Sequence, residues 1–232
     1  MDTLFDGITI TDFHDDTFRN IVSMRVSENL FDDITDTPET ADLATAVEVG
    51  AKPHTHTSHQ PIIDRPFEEA TYHEAIKYPF DTWTKTRYSD GTYGVWYGTD
   101  SLQTSIYETV HHWRKGLLED AGWEDVEGVI SERKVYNVRI DAGLLNFLPR
   151  LDAFPSLIDP EHYHYTHQIG ARIKHDGHPG LISRSARCEG TVYAIFNARV
   201  LSNPRPACFL SYRIESGSVS IERQPGEIIL RI

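Results

Sequence analysis

The sequence has little cysteine and no long apolar run, and each absence excludes a class of protein. Cys188 and Cys208 are the only cysteines among 232 residues. Two cysteines are too few for a disulfide framework and fit a reducing compartment. No apolar stretch is long enough to span a bilayer, and the acidic N-terminus lacks the basic flank and apolar region of a secretory signal. We therefore predict a cytoplasmic protein that does not act at a membrane.

Positive charge is also scarce. Lysine and arginine total 22 against 35 acidic residues, which gives a net charge of −13. Because no basic stripe is visible, we expect no direct nucleic-acid partner. The acidity is concentrated in residues 1–50, where twelve acidic residues face only Arg19 and Arg25. We divide the chain into an acidic N-terminal extension, residues 1–60, and a main domain, residues 61–232.

The composition of the extension fits two roles. Ile8, Phe13, Phe18 and Ile21 are frequent enough to pack on the main domain and leave the acidic groups in water. Alternatively, the segment is mobile and presents its charge to a basic partner. We favour packing, because an unburied apolar set of this size would invite aggregation.

Short strand and helix patterns mix after residue 61. Tyr93–Gly98 is typical of a strand. Asp100 or Ser101 can cap a helix whose apolar stripe consists of Leu102, Ile106, Val110, Trp113 and Leu117. A second helix is predicted to begin at Asp159–Pro160 and to end at Gly177.

Strand patterns dominate the C-terminal third. The predicted strands are a run through Val135, Val138 and Ile140 that ends at Asp141 and Gly143, followed by Thr191–Asn197, Ala207–Ile214 and Val219–Arg223. Neither a repeating βαβ pattern nor a Gly-rich phosphate loop is present, which argues against Rossmann and P-loop folds. We expect an α+β domain built on mainly antiparallel sheets.

Three stretches carry the residues of chemical interest: residues 86–108 (TRYSDGTYGVWYGTDSLQTSIYE), 166–174 (THQIGARIK) and 180–196 (GLISRSARCEGTVYAIF). Arg87 precedes Tyr97 by ten positions, and Glu108 follows Tyr97 by eleven. Gln168 and a Ser185-Ala-Arg sequence before a strand come later. In this order and spacing the chain resembles the RES domain, a family named for an arginine, a glutamate and a serine, over roughly residues 62–215.

The chain also departs from the family pattern. The departures are Lys85 and Thr86 in place of glycines, Tyr88–Ser89 in place of Trp–Asn, and Pro179 in place of an acidic residue. Residues 116–134 look like an insertion, and residues 1–60 have no counterpart in a minimal domain of this family. Most of the departures lie around Arg87.

The resemblance implies an ADP-ribosyltransferase-like fold, with two packed, mainly antiparallel sheets and flanking helices, that binds NAD⁺ as its substrate. Members of the family are toxins paired with an antitoxin whose N-terminal part resembles Xre-type DNA-binding proteins. They consume NAD⁺ by hydrolysis or phosphorolysis, or transfer ADP-ribose to a protein. We therefore predict that residues 61–232 form an NAD⁺-consuming catalytic domain with an Xre-type antitoxin as partner.

Two alternatives remain open. A protein ADP-ribosyltransferase shares the first half of the mechanism, and sequence does not choose between water, phosphate and protein as acceptor. A non-catalytic acidic interaction module is the alternative from a different class, although the arginine, glutamate and serine are all retained. The oligomeric state, including a homodimer, stays open as well.

The chemistry of bond cleavage suits the residue types. Positive charge develops on the sugar as nicotinamide leaves, and a carboxylate such as Glu108 would stabilise it. The Arg87 guanidinium suits a pyrophosphate. Tyr97 can stack on the nicotinamide ring, and the Ser185 hydroxyl can orient ribose or amide without acting as a nucleophile. Tyr88, beside Arg87, and Arg65, an upstream arginine such as the family tends to have, complete the predicted NAD⁺-binding set.

Each of these residues also has a purely structural interpretation. Glu108 lies on the polar side of its helix and could be solvated. Arg87 and Arg65 could be surface arginines without a task, Tyr97 could be part of the core, and Ser185 could cap the start of a strand. Gln168 is better explained by helix packing or by bracing a loop than by catalysis.

Histidines form two clusters in the sequence. The first consists of His54, His56 and His59, and the second of His162, His164 and His167. Their spacing matches no standard zinc ligand set and lacks a cysteine pair. We expect no metal, with the first cluster in a solvated loop and the second on a helix where His164 and His167 share a face.

Overall fold

The computed structural model describes residues 2–23, 70–122 and 126–232. Arg65, the first histidine cluster and the proposed boundary after residue 60 lie outside these ranges. One compact unit comprises Met1–Ser23 together with Thr71–Ile232. Within the described ranges, no helix is both long enough and apolar enough to cross a membrane.

The described ranges contain eight strands: β1 Thr9–Val22, β2 Trp96–Thr99, β3 Ile130–Asn146, β4 Gly180–Arg184, β5 Thr191–Ile195, β6 Leu201–Glu215, β7 Ser218–Gln224 and β8 Glu227–Arg231. The α-helical segments include α1 Asp2–Phe5, α2 Tyr78–Asp81, α3 Leu102–Trp113, α4 Glu119–Ala121 and α5 His164–Asp176. A π-helical turn, His73–Lys77, precedes α2, and a second, Arg114–Leu118, joins α3 to α4. Three short 3₁₀ turns complete the set: Leu148–Arg150, Pro155–Ile158 and Ala198–Val200.

The strands form two groups that are joined at two points. β1, β3, β6, β7 and β8 pair side by side and antiparallel, and β2, β5 and β4 form a second antiparallel group. Leu145–Asn146 of β3 pairs in parallel with Leu181–Ile182 of β4, and Phe18 of β1 pairs with Thr99 of β2. Hydrogen bonds thus connect the strands into one eight-stranded sheet. The α+β class and the mainly antiparallel pairing are confirmed, and the two predicted sheets are continuous with each other.

Part of the acidic N-terminal segment is a strand of this sheet. Every residue of β1 pairs with β3, from Thr9 opposite Asn146 to Val22 opposite Arg133. Phe13 and Ile21 pack against the core that the two strand groups share, whereas Phe18 packs with the apolar face of α3. The acidic side chains of the strand, Asp12, Asp15 and Asp16, are all exposed and remain in water.

β3 continues past its predicted end. The prediction that Asp141 and Gly143 end the strand is wrong, because β1 supplies a partner at every position as far as Asn146. The Asp141 carboxylate lies on the exposed side and accepts hydrogen bonds from His14 and from Arg139. A partner strand that is long enough therefore overrides the local preference of Asp and Gly for turns.

The helix that precedes the site begins where the sequence predicts. The Ser101 hydroxyl accepts a hydrogen bond from the Thr104 amide at 3.1 Å and caps α3. Ile106, Val110 and Trp113 are buried against the distal strands of the sheet. The predicted N-cap of α3 is confirmed, and so is its apolar stripe at Ile106, Val110 and Trp113.

The second predicted helix ends as expected but begins later. Gly177, with φ of 76°, ends α5 in the left-handed conformation, as predicted. The predicted start at Asp159–Pro160 is wrong, and α5 begins at His164. The reason is local, since the Asp159 carboxylate accepts hydrogen bonds from the Glu161 and His162 amides at 2.8 Å and holds a turn ahead of the helix.

Candidate active site

Tyr97 on β2 holds the turn that carries Arg87. The Tyr97 hydroxyl accepts a hydrogen bond from the Tyr88 amide at 3.0 Å and donates one to Thr86 Oγ1 at 2.9 Å. Burial raises the pKa of Tyr97, so the hydroxyl keeps its proton and remains a donor. The phenol thus acts as acceptor for a backbone amide and as donor to a side chain, and both partners belong to the same turn. The hydroxyl of Tyr97 therefore positions the residues on either side of Arg87.

Helix α5 supports the same turn from another side. His167 Nε2 donates to the Thr86 carbonyl oxygen at 2.8 Å. A Cβ added at Gly170 would lie 1.9 Å from the Tyr88 carbonyl oxygen, so only glycine lets the helix approach this closely. The interpretation of Gln168 as a packing or bracing residue is wrong, because its side chain is exposed and donates to His164 on the same helix. The bracing residue is His167.

The Arg87 guanidinium contacts neutral groups. Its Nη1 donates to the Asp159 carbonyl oxygen at 2.7 Å and approaches that of Leu157 at 3.5 Å, while its central carbon lies 4.6 Å from the centre of the Tyr163 ring. Among the described residues, no acidic side chain forms an ion pair with Arg87. The charge is thus positioned but not neutralised by any described acidic side chain.

Glu108 and Ser185 meet directly. The Ser185 hydroxyl, in a side chain that is 3% exposed, donates to Glu108 Oε1 at 2.6 Å. Ser185 Oγ in turn accepts hydrogen bonds from the amides of Arg187 at 2.9 Å and Cys188 at 3.2 Å. Because two amides occupy the acceptor side of this oxygen, its proton is directed to the carboxylate. Glu108 is held by a specific partner and is not merely solvated.

A glycine allows the loop after β4 to reach helix α3. A Cβ at Gly190 would lie 1.9 Å from Thr104 Oγ1, and the Gly190 carbonyl oxygen accepts a hydrogen bond from the Ser185 amide at 2.7 Å. Asp100 adds a second link, since its carboxylate accepts from Thr104 Oγ1 at 2.7 Å and from the Thr191 amide at 3.0 Å. These contacts bring Ser185 within hydrogen-bonding distance of Glu108.

His111 and His112 follow Glu108 on α3, and their pKa values depend on burial and on the charges around Glu108. Desolvation lowers the pKa of His111 to about 4, and the nearby cations Arg187 and Arg87 act in the same direction. Desolvation also lowers the pKa of His112, against the opposing effect of the Glu108 carboxylate. His111 is therefore uncharged at neutral pH. The positive charges of Arg87 and Arg187 both lower the pKa values of the histidines at this end of the helix.

Tyr88 differs from the other predicted site residues in its surroundings. Its side chain is 1% exposed and belongs to the apolar core, and its hydroxyl lies beside Ser183 with no partner in hydrogen-bonding geometry among the described residues. The structure thus brings Tyr88 to the site through its backbone, whose amide donates a hydrogen bond to the Tyr97 hydroxyl.

A shallow cavity of about 250 Å³ opens next to Ser185 and is lined by Ile158 and residues 184–189.

The second histidine cluster forms separate contacts. His164 bonds to Gln168, His167 to Thr86, and His162 Nδ1 lies 3.3 Å from Asp159. In the part of the chain that the structure describes, no three His, Cys, Asp or Glu side chains are placed to share a metal ion. Cys188 and Cys208 are both free thiols.

The fold and the site can be compared with known protein families. The site combines a turn that carries an arginine, a tyrosine, a helical glutamate and a serine. The RES domain profile matches residues 63–215, about two thirds of the chain, and the chain belongs to this family. A chain of the crystal structure of the M. tuberculosis MbcT–MbcA toxin–antitoxin complex is similar over 89% of this chain and 90% of that chain, with 10% sequence identity and a TM-score of 0.46. No curated protein sequence matches the chain.

Proposed function

We propose that this RES-domain protein is an NAD⁺-consuming enzyme that cleaves the nicotinamide–ribose bond, with water or phosphate as acceptor. The observation that carries the proposal is the 2.6 Å hydrogen bond from Ser185 to Glu108, in a chain of this family. It supports a role for Glu108 at the reacting centre, since a solvated glutamate would need no buried serine to orient it.

The reaction requires stabilisation of a sugar cation. The bond between ribose C1′ and the nicotinamide nitrogen breaks, and its electron pair stays on nicotinamide, which leaves as a neutral molecule. Positive charge develops at C1′, as in glycoside hydrolysis, and the Glu108 carboxylate stabilises it. In hydrolysis, the oxygen of water then bonds to C1′ and loses a proton, which gives ADP-ribose. With phosphate, a phosphate oxygen forms the new bond instead.

Ser185 acts on Glu108 in this proposal rather than on the substrate carbon. Its proton is used on the carboxylate, and two backbone amides occupy its acceptor side. A hydroxyl held in this way orients the carboxylate, and a carboxylate that must stay charged to stabilise the sugar cation is not the base that would activate a nucleophilic serine. Ser185 is therefore assigned as a positioning residue for Glu108.

Arg87 and Tyr97 bind the remainder of NAD⁺. The Arg87 guanidinium has no acidic partner among the described residues and suits the diphosphate of the substrate. Tyr97 offers its ring to nicotinamide while its hydroxyl keeps the Arg87 turn in place. Arg65, the remaining predicted contact, lies outside the described residues.

Family membership also supports a biological setting. We propose that the protein is the toxin of a toxin–antitoxin pair, with an Xre-type antitoxin that limits its access to NAD⁺ in the cytoplasm. Co-expression tests this partnership directly. Growth should stop when this chain is produced alone and resume when the antitoxin is produced with it. A chain that does not affect growth or the cellular NAD⁺ level would contradict it.

Mass analysis of the reaction products tests the chemistry and identifies the acceptor. Incubation of the purified chain with NAD⁺ should release nicotinamide together with ADP-ribose, or with ADP-ribose-1″-phosphate when phosphate is present. Mass added to another protein, with no turnover in water or phosphate, would instead assign a protein ADP-ribosyltransferase. NAD⁺ left intact under all conditions would contradict the proposal and favour a binding role.

Removal of the Tyr97 hydroxyl should weaken the Arg87 turn. Tyr97→Phe leaves the Tyr88 amide and Thr86 without their partner, so we expect a loss of about 1–2 kcal/mol in the free energy of unfolding. A fall of roughly tenfold in kcat/KM for NAD⁺ should accompany it, because Arg87 is no longer fixed. Chemical denaturation and a nicotinamide-release assay measure the two effects.

Tyr193→Phe is the matched control. Tyr193 is a buried tyrosine on β5, a strand of the second group, but its hydroxyl donates no hydrogen bond to a described residue. It should leave both quantities nearly unchanged. If Tyr97→Phe behaves like this control, the Tyr97 hydroxyl does not position Arg87.

A further inference from the structure

Arg187 has the same unusual surroundings as Arg87. Its Nη2 donates to the Pro160 carbonyl oxygen at 2.6 Å and to the Tyr163 hydroxyl at 3.2 Å. Its Nε is buried and has no hydrogen-bond partner among the described residues. Arg187 is thus a half-buried cation that contacts neutral oxygens only and retains one unused donor.

The two arginines converge on one segment of the chain. Arg87 binds the carbonyl oxygens of Leu157 and Asp159, and Arg187 binds that of Pro160. Tyr163 contacts both, since its ring faces Arg87 and its hydroxyl accepts from Arg187. Two guanidinium groups therefore lie around a single tyrosine, and Arg187 also lines the cavity next to Ser185 and Ile158.

Neither cation is neutralised within the described ranges. Other arginines in this part of the molecule have acidic partners, such as Arg184 with Glu189 and Arg172 with Asp176. Arg87 and Arg187 form no such ion pair, although the chain carries a net charge of −13. Two adjacent unpaired cations repel each other, and the arrangement is stabilised when an anion binds between them.

We propose that Arg187 is the second cation of the diphosphate site, and that it binds the NAD⁺ diphosphate together with Arg87. The inference rests on the proposed function and extends it to a residue that the sequence left without a role. The backbone amide of Arg187 donates to Ser185, so one residue links the diphosphate to the Ser185–Glu108 pair. One loop, residues 185–190, then both binds the diphosphate through Arg187 and orients the Glu108 carboxylate through Ser185.

In the free protein the guanidinium groups donate to the carbonyl oxygens of Leu157, Asp159 and Pro160, which take the place of phosphate oxygens. On binding, the charge-assisted contacts to phosphate replace these neutral contacts, which are weaker. Tyr163 remains as the shared wall between the two cations. The 157–163 segment thereby prevents the arginines from adopting other rotamers before the substrate arrives.

Calorimetric binding of ADP-ribose to the full chain tests the proposal without relying on turnover. Arg187→Gln should raise the Kd for ADP-ribose about 20-fold to 50-fold, as expected for the loss of a charge-assisted contact. It should leave the Kd for free nicotinamide, which has no phosphate, within about twofold. Arg187→Lys keeps the charge without the guanidinium geometry and should give an intermediate Kd. Arg199→Gln, which removes the same charge from an exposed position, is the control and should bind like the wild type.

The salt dependence of binding separates a phosphate contact from a structural role. A guanidinium that contacts the diphosphate makes the Kd for ADP-ribose rise with ionic strength, and its loss makes that rise less steep. We therefore expect the Kd of Arg187→Gln to increase less between low and high salt than the Kd of the wild type. If Arg187 only holds the 157–163 segment through Pro160 and Tyr163, both proteins should show the same salt dependence, and the proposal would be wrong.

The wild-type protein distinguishes the two levels of failure. If the wild type binds neither NAD⁺ nor ADP-ribose, the proposed function fails. If it binds both, and Arg187→Gln binds ADP-ribose equally well while remaining folded by circular dichroism, only the assignment of Arg187 is overturned.

Discussion

Glu108→Gln is expected to lower kcat for nicotinamide release about a hundredfold or more, with the fold intact. Glutamine keeps the shape of the side chain, and its amide oxygen can still accept the hydrogen bond from Ser185. Only the negative charge is lost, and that charge is what stabilises the developing sugar cation. KM should change little if the carboxylate acts mainly in the transition state, because ground-state binding of NAD⁺ then does not depend on it.

Glu119→Gln provides the comparison within the same helical region. Glu119 on α4 is exposed and lies 3.5 Å from Lys115, an i,i+4 surface pair that contributes little. Its replacement should leave kcat and the melting temperature nearly unchanged. Turnover of Glu108→Gln within a few-fold of the wild type would show that the carboxylate does not act at the reacting centre.

Gly190→Ala is expected to cause the second large effect, through packing and not through chemistry. The added methyl group would lie 1.9 Å from Thr104 Oγ1, so the loop or the helix must move by more than an ångström. A displacement of this size should cost about 1–3 kcal/mol of unfolding free energy. It should also lower kcat about a hundredfold, because Ser185 no longer meets Glu108.

A second substitution tests whether the clash is the cause. Thr104→Ala removes Oγ1 and Cγ2, after which the nearest atom of residue 104 to the added methyl group is Cβ at 2.8 Å. In the Gly190→Ala background it should recover at least about tenfold of the lost kcat. Gly116→Ala, where nothing lies within 4 Å of the added group, is the control and should be neutral. Full activity in Gly190→Ala alone would mean that the contact between loop and helix is not required.

The sequence predicts the features of this site that depend on local chemistry. Ser101 caps α3 and Gly177 ends α5 because each effect involves neighbours within one helical turn. The order and spacing of Arg87, Tyr97, Glu108 and Ser185 identify the family, which the profile match over residues 63–215 confirms. By itself, however, Glu108 resembles any polar residue on a helix surface, since its partner lies 77 positions away.

Other features could not be predicted because they depend on distant contacts. β1 lacks the alternation of buried and exposed residues that marks a strand in a sequence, and it is a strand because it pairs with β3 along its whole length. His167 belongs to a histidine cluster for which we predict no metal, and nothing in the sequence indicates that it binds the turn before Arg87. Arg187 stands in the family motif, yet its contacts are made with the 157–163 segment, which is brought to it by the tertiary fold.

The most direct test of the proposed chemistry is a crystal structure with an uncleavable NAD⁺ analogue, in which a methylene group replaces the oxygen of the nicotinamide ribose ring. Without that oxygen the sugar cation cannot form, so the complete ligand should remain in the site. We predict that the hydroxyl on ribose C2′ lies about 3 Å from the Glu108 carboxylate, within hydrogen-bonding reach, and that the diphosphate contacts Arg87. An analogue bound with its ribose out of contact with both Glu108 and Ser185 would contradict the account.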